Sequence, residues 1–337
     1  MYKTSKMKRS RSVERVLSTL LCSIALTLML AGFSRAQSAA PHRIGVLIPE
    51  GPFGPVMQGL RQGLRQLGYE EGKQVTFIVE DSKLAVLDPG KAAMKLLESK
   101  PQIIFTAATA NSLAAKQATT TVPIVFTAVT DPVTSSLVAG YVSSKNNVAG
   151  VSNTTAQLSG KRLQVLKEIV PGMKRALAVV SVKETVAQLS FKFLQETANK
   201  LGIQLVRRDV TTNEEIEKAL HNTPKGLVDA IMHVPSYLTT NRLPLIIDKA
   251  KKDQLPLCVH IEEMVKQGAL VSYGEDYQLI GSQAARIVVK VLKGVPPADI
   301  PIETPERPLL VLNRTTAKII GLKIPREFLE RVDHIVD

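Results

Sequence analysis

Residues 103–126 read IIFTAATANSLAAKQATTTVPIVF. Ile103 to Ala107 is a short apolar run of strand length. Asn111 to Ala118 follows as a helix, and Pro123 to Ala128 is apolar again. A strand, a covering helix and a second strand form the unit from which a parallel sheet is built. Residues 230–259, AIMHVPSYLTTNRLPLIIDKAKKDQLPLCV, repeat the order. Ala230-Ile231-Met232 leads through a polar loop and a helix to Gln254-Leu255-Pro256-Leu257-Cys258-Val259, as Ile103-Ile104-Phe105 leads to Thr121-Val122-Pro123-Ile124-Val125-Phe126. The two copies lie more than about 100 residues apart, too far for a solenoid, so the pattern is a duplicated domain.

The same alternation extends outward from both copies. Before the first copy come a strand at Arg43–Ile48 and a helix opened by Pro55, with Met57, Leu60, Leu64 and Leu67 on one face and Gly68 at its end. A strand at Val75–Val79 and a helix capped by Asp88 follow. The rhythm restarts after Pro171-Gly172 with strand Ala176–Ser181, helix Glu184–Leu201 and strand Ile203–Val210. A helix capped by Thr212/Asn213 runs to Leu220. Around the second copy stand helix Leu243–Lys252 and strands Leu257–His260 and Ala269–Ser272. The fold class is therefore α/β, with two doubly wound parallel-sheet lobes. The tail departs from the rhythm. A long helix at Asp276–Lys293 is broken by Gly294-Val295-Pro296-Pro297, then strand Leu309–Leu312 and helix Thr315–Ile320 follow. Such a tail suits several crossings between lobes, which make a hinge rather than a tether.

The first 36 residues read as a secretory signal peptide. Lys3, Lys6, Lys8, Arg9, Arg11 and Arg15 precede an apolar run, Val16–Leu30, and Ser34-Arg35-Ala36 is a small-x-small cleavage pattern. The run is about 15 residues, short of the roughly 20 that span a bilayer. Leu21 before Cys22 and the apolar setting of Cys22 disfavour lipid attachment there. The mature chain of about 300 residues is expected to form two domains, soluble and outside the cytoplasm. The net charge of +13 overstates its basicity. Residues 1–36 hold seven Lys/Arg and one Glu, leaving +7 on the rest. Lys249-Ala250-Lys251-Lys252 is the densest basic run and ends a helix, where cations suit the dipole. No nucleic-acid partner is expected. Cys258 alone remains after cleavage, in an apolar strand, so no disulfide or cysteine metal site is expected.

No nucleophile elbow, His-Glu-x-x-His, phosphate loop or dinucleotide fingerprint occurs, so neither an enzyme nor a cofactor is expected. His42, His221, His233, His260 and His334 are scattered. His233 and His260 each end a strand of the second half, either as satisfied strand-end residues or as cleft residues. The binding signals lie at the carboxyl ends of strands, where open α/β sheets hold ligands. At Thr109, Asn111 and Ser112 a strand runs into a helix start whose free N–H groups favour a carboxylate. Helix capping accounts for Asn111 or Ser112 equally well. Thr130-Asp131-Pro132 ends the next strand, and Asp131 reads both as a cap and as an acceptor for a ligand ammonium. Ser236 and Tyr237 follow strand Ala230–Val234, Glu262 follows Val259-His260, and Asp276 stands in Tyr273–Tyr277. Phe53, in the first loop, is a candidate apolar wall in a chain with only 4% aromatic residues.

Taken together, these segments resemble the periplasmic substrate-binding components of ABC transporters of the tryptophan/tyrosine type. The likeness rests on GLRQGLRQLGYEEGK at 59–73 and PIVF at 123–126 leading to Thr130-Asp131-Pro132-Val133. It continues through NVAGVS at 147–152, GALVSYG at 268–274 with Asp276, Tyr277 and Gly281, and GVPPADIPIE at 294–303. Asn313 to Lys318 and Gly321-Leu322-x-Ile324-Pro325 complete it. The resemblance implies a type I periplasmic-binding fold with a three-segment hinge. Lobe 1 would be 42–157 plus 274–304, and lobe 2 would be 158–273 plus 305–337. It implies a monomer that captures a small molecule such as an amino acid and docks transiently on a membrane permease. Thr109–Ser112 and Thr130-Asp131 would line the cleft from lobe 1, and Ser236 and Asp276 would lie at the cleft or its hinge edge. Two departures stand out. The loop Pro49–Pro55 is rich in Pro and Gly, and Ser236–Thr240 lacks the acidic residue expected there. An extracytoplasmic sensor for a membrane receptor is the alternative on the same fold. An exported enzyme would need a cleft cluster of perturbed acid and base groups, and a cytoplasmic repressor would carry a DNA-binding domain where the signal peptide stands.

Overall fold

The computed structural model describes residues 40–337. The signal segment, with Cys22, lies outside the described residues. In chain order the elements are β1 (His42–Leu47), α1 (Gly54–Gln66), β2 (Val75–Val79), α2 (Ser82–Leu87), α3 (Pro89–Glu98), β3 (Ile103–Ala107), α4 (Thr109–Ala118), β4 (Ile124–Thr130) and β5 (Val148–Asn153). Then come α5 (Ser159–Ile169), β6 (Arg175–Ser181), α6 (Thr185–Leu201), β7 (Gln204–Val210), α7 (Asn213–His221), β8 (Ala230–His233), α8 (Tyr237–Asn241), α9 (Leu243–Asp253) and β9 (Leu257–Val259). The chain finishes with α10 (Glu262–Lys266), β10 (Val271–Glu275), α11 (Tyr277–Leu292), a 3₁₀ turn at Pro297–Asp299, β11 (Pro308–Asn313), α12 (Arg314–Ile319), α13 (Arg326–Leu329) and β12 (His334–Val336).

The strands form two sheets, one for each lobe. The first has the order β2-β1-β3-β4-β5 and is parallel throughout. The second has the order β12-β11-β10-β9-β8-β6-β7. Its stretch β7-β6-β8-β9-β10 repeats the topology of the first sheet strand for strand, as the sequence repeat predicts. The extension differs in direction, because β11 runs antiparallel to β10 and β12 parallel to β11.

Both sheets are covered on two faces. Ile44, Val46, Ile103 and Phe105 meet Val56, Leu60 and Leu64 of α1 and Ile280, Ala284 and Val288 of α11. The alternate residues Leu47, Ile104, Ile124 and Phe126 meet Ala92, Ala93 and Leu96 of α3 and Ala114 and Ala115 of α4. In the second sheet Ala176, Ala178, Met232 and Cys258 pack under α5 and α6, while Leu177, Val179, Ile231 and Leu257 face α7 and α9. This period-2 sorting of apolar residues fixes the strand register.

Several short elements, α2, α8, α10, α13 and β12, and two longer ones, β5 and α5, stand outside the sequence pattern. β5 is buried along its whole length and is built from small residues, so it shows no alternation. α5 already belongs to the second sheet before Pro171. Its buried face includes Ser159, Gly160 and Arg162, which breaks the apolar stripe that marks a helix in sequence.

α11 follows β10 of the second sheet in sequence yet packs on the first sheet beside α1. The backbones of the two helices touch. A Cβ at Gly59 would lie 1.8 Å from the Gln278 carbonyl oxygen, and one at Gly281 would lie 2.0 Å from that of Val56. Gly281→Ala is expected to force the helices apart at a cost of roughly 1–3 kcal/mol, the range for overpacking. A lower urea midpoint with an unchanged slope is the expected result, and an unchanged midpoint contradicts the contact.

Candidate ligand-binding site

In a sheet ordered 2-1-3-4-5, connections leave in opposite directions at the boundary between the first and third strands, which opens a crevice beyond their carboxyl ends. The fold has two such points. In lobe 1 it lies between β1 and β3, flanked by the loop holding Phe53 and by the start of α4. In lobe 2 it lies between β6 and β8, flanked by Glu184 and by Ser236-Tyr237.

The start of α4 is unusually open. Ala108, the residue before it, has a left-handed backbone (φ 71°) and no side chain caps the helix. The Ala108 carbonyl accepts from the Ser112 amide at 3.1 Å and from the Ser112 hydroxyl at 2.9 Å. Ser112 also meets the Thr106 hydroxyl at 2.8 Å, so it serves the local frame. The amides of Thr109, Ala110 and Asn111 have no intrahelical acceptor by the geometry of a helix start. Asn111 is 2% exposed, and its Oδ1 has no partner. One strand over, Ala128 (φ 53°) sits in the bulge between Thr127 and Val129, and Asp131 has φ 48°. Non-glycine residues in this region are strained and concentrate at functional sites. The Thr130 hydroxyl donates to Asn153 Oδ1 at 2.8 Å, and Asp131 Oδ1 accepts from the Thr134 amide at 3.0 Å.

The lobe 2 point is filled differently. Ser236 caps α8 through the Thr239 amide at 3.0 Å. Tyr237 is 53% exposed, and its amide donates to Glu184 Oε2 at 2.6 Å. The Leu238 amide donates to Glu184 Oε1 at 3.2 Å. The acid absent from Ser236–Thr240 is thus supplied by Glu184, from the turn after β6. Its position at the end of one strand, facing the end of another, has no local signature in sequence.

Phe53 stacks on Tyr277 with ring centroids 5.6 Å apart and planes 10° from parallel. Asp276 Oδ1 caps α11 through the Leu279 amide at 2.9 Å. Glu262 is engaged with Lys266 at 3.0 Å and with His334 at 3.2 Å. Burial raises its pKa, but those two partners outweigh burial and leave it below the ordinary carboxylate range. The structure thus gathers Phe53, Thr109, Asn111, Ser236 and Tyr237 at the two switch points. Thr130 and Asp131 lie one strand away in lobe 1. Asp276 starts the second crossing, and Glu262 is tied to the β12 edge.

The chain passes between the sheets three times: from β5 to α5, from β10 to α11, and from Glu303 to β11. Two buried charges join the first two crossings. Glu275, 3% exposed, accepts from the Thr154 amide at 2.5 Å, from the Thr154 hydroxyl at 3.2 Å and from the Thr155 hydroxyl. Arg162 is fully buried, and its Nη2 donates to the Thr155 carbonyl at 2.6 Å and to Ser159 Oγ at 2.7 Å. Burial pulls Arg162 down to about 10, so it stays charged at neutral pH. The third crossing is pinned by main chain, with the Ser152 amide donating to the Glu303 carbonyl at 2.8 Å, and by Gln283 and Arg286 of α11, which bond Glu303, Thr304 and Glu306.

Beside Arg162, His233 and His260 stack with centroids 5.3 Å apart. Burial, then the charge of Arg162, holds His233 down to about 4. Burial, then His233 and Arg162, holds His260 well below its ordinary value. Among the described residues there is no group of three or more His, Cys, Asp or Glu placed to hold a metal ion.

A duplicated α/β pair of lobes, each ending in a polar crevice, is the architecture of a two-lobed binding protein. The chain belongs to the family of ABC transporter substrate binding proteins, which it matches over residues 46–336. It is 25% identical, over 92% of its length and 93% of the relative's, to a tyrosine-binding protein of Clostridioides difficile. Its fold matches a conserved domain protein of Vibrio cholerae at 28% identity and a TM-score of 0.79, covering 88% of this chain and all of that one. It also matches, at 24% identity and 0.79 over the same shares, an ABC domain in complex with L-Trp from Streptococcus pneumonia.

The histidine pair sets an acid limit on stability. The unfolded chain takes up protons near pH 6.5 that the native pair refuses. The stabilisation is therefore whole above about pH 6.5 and is lost as pH falls toward about 4, by roughly 3 kcal/mol for His233 alone. The melting temperature is expected to drop across this window and to drop less in the double variant His233→Gln/His260→Gln. A wild-type melting temperature that is level over the window contradicts the buried neutral pair.

Proposed function

We propose that this protein captures an amino acid or similar small carboxylate between its lobes outside the cytoplasm and delivers it to an ABC permease. The observation that carries the reading is the open start of α4. Three unsatisfied amides lie together at a topological switch point, a setting that favours a carboxylate, and the partnerless Oδ1 of Asn111 beside them is an acceptor for a ligand donor. Asp131 stands one strand away, with one carboxylate oxygen engaged by Thr134, and supplies an acceptor for the ligand's ammonium. Phe53 stacked on Tyr277 gives an apolar wall. The tyrosine-binding relative and the tryptophan-bound structure support an amino-acid ligand. Residues 1–36 act as the export signal in this reading.

The lobes divide as 42–157 plus 274–304 and 158–273 plus 305–337. This division is supported by the membership of the two sheets and by α11 lying on α1. A solute that prefers the closed arrangement shifts the protein toward it, with the three crossings bending as the hinge. The closed form is the one presented to the permease, and no catalytic step is required.

Thermal shift of the mature protein against L-amino acids and small carboxylates is the first test, and absence of any shift across the panel contradicts the reading. Asn111→Asp places a second anion beside the ligand's carboxylate and is expected to weaken binding by roughly tenfold or more with little change in melting temperature. Asp131→Ala is expected to weaken ligands that bear an ammonium and to spare their desamino analogues. Equal losses for both would remove the ammonium role.

A further inference from the structure

His233 closes β8, and His260 directly follows β9, at the carboxyl ends of lobe 2 where its crevice opens. The two rings are 3% and 7% exposed. Neither His233 nitrogen has a hydrogen-bond partner, nor does His260 Nδ1, nor does Arg162 Nε. A neutral imidazole always carries one N–H. The N–H of His233 has only the Thr239 main chain beside it, and the Nε–H of Arg162 has no acceptor. Buried polar groups left unpaired are rare, and several clustered ones point to a missing partner. What is missing here is an acceptor.

The charge of that acceptor follows from the surroundings. Arg162 has no carboxylate at ion-pair distance, and its Nη groups go to the neutral acceptors Thr155 O, Ser159 Oγ and Tyr273 O. Cys258, Glu275 and Tyr277 flank it. Cys258 is held up to about 12 by burial, and Tyr277 is raised by burial and then by the nearby Glu275. Glu275 is already engaged by Thr154 and Thr155. Beside His233 lie Thr239 of α8 and Ile246 of α9, which bring no charge. The cluster is a set of spare donors around one cation.

We propose that His233, His260 and Arg162 form a second subsite, on the lobe 2 side of the cleft, which takes a second acidic group of the solute. The inference rests on the reading above, in which the first carboxylate lies at α4. The substrate class it names is an amino acid or organic acid with two acidic groups. An anion arriving at the pair adds an acceptor and offsets the field of Arg162, so the imidazoles take up a proton as it binds. Affinity then rises as pH falls.

Isothermal titration of the mature protein with matched acids and amides tests this: L-glutamate against L-glutamine, L-aspartate against L-asparagine, with L-tyrosine as the single-acid probe. Titrations at about pH 6 and about pH 8, each in two buffers of different ionisation enthalpy, report proton uptake. The expected result is an acid preferred over its amide by roughly tenfold or more at the lower pH, with a proton taken up on binding. His260→Gln and His233→Gln should each shrink that preference, with the acid losing more affinity than its amide. Binding of L-tyrosine or an amide with no preference for an acid overturns the proposal and leaves the amino-acid reading standing. So does an acid preference that survives both substitutions. Failure of every probe to bind contradicts the amino-acid reading itself, and this subsite falls with it.

Discussion

The guanidinium of Arg162 is held out of water beneath α5, beside the first two crossings between the sheets, and the crossings are arranged around it. A lone buried cation is very costly unless its hydrogens are taken and an opposite charge is near. Here the Thr155 carbonyl takes one hydrogen from it, while the Thr155 hydroxyl gives its own to Glu275. One residue of the first crossing therefore stands between a cation on α5 and an anion at the end of β10. The two crossings are linked through hydrogen bonds rather than through apolar packing. Such links keep their geometry only over short distances, so the crossings move together.

That arrangement leaves two copies of one topology facing each other in opposite electrostatic states. In lobe 1 the helix that opens the crevice begins with free amides that no carboxylate caps. In lobe 2 the corresponding amides of Tyr237 and Leu238 are met by the Glu184 carboxylate. The duplication has not produced two equal carboxylate sites. The anion-favouring end of lobe 2 is already neutralised, and its spare donors lie deeper, on the histidine pair. In the proposed reading, a solute between the lobes would find open helix amides on one side and the histidine pair on the other.

Much of this was legible in the sequence, and the limits have physical causes. Ile103–Phe126 and Ala230–Val259 fix the fold because a fully covered parallel strand must be apolar along its length and its helix must show one apolar stripe. β5 and α5 escape the pattern for the converse reason. β5 is small-residue backbone in the interior, and α5 turns Arg162 inward where a stripe would be apolar. The same inward turn hid the buried polar links. Asn111 and Asp131 announce themselves at strand ends, next to each other in the chain's local logic. Glu184, Glu275 and Arg162 act across separations of 53, 120 and 7 residues respectively, on partners that only the tertiary fold supplies.

The strained residues of lobe 1 show how the open helix start is kept open. Ala108 has a left-handed backbone although an alanine there costs on the order of 1–3 kcal/mol. Its neighbours over-determine it. The Ala108 amide donates to the Thr127 carbonyl at 3.2 Å, and its own carbonyl is taken by both the amide and the hydroxyl of Ser112. Relaxing Ala108 would break the junction between β3, β4 and α4 at once. Because Ala108 stands at the N-cap with a methyl in place of a capping oxygen, the first-turn amides stay unsatisfied. The strain and the missing cap are thus one feature, and its consequence is a preformed set of donors that needs no rearrangement before an anion arrives.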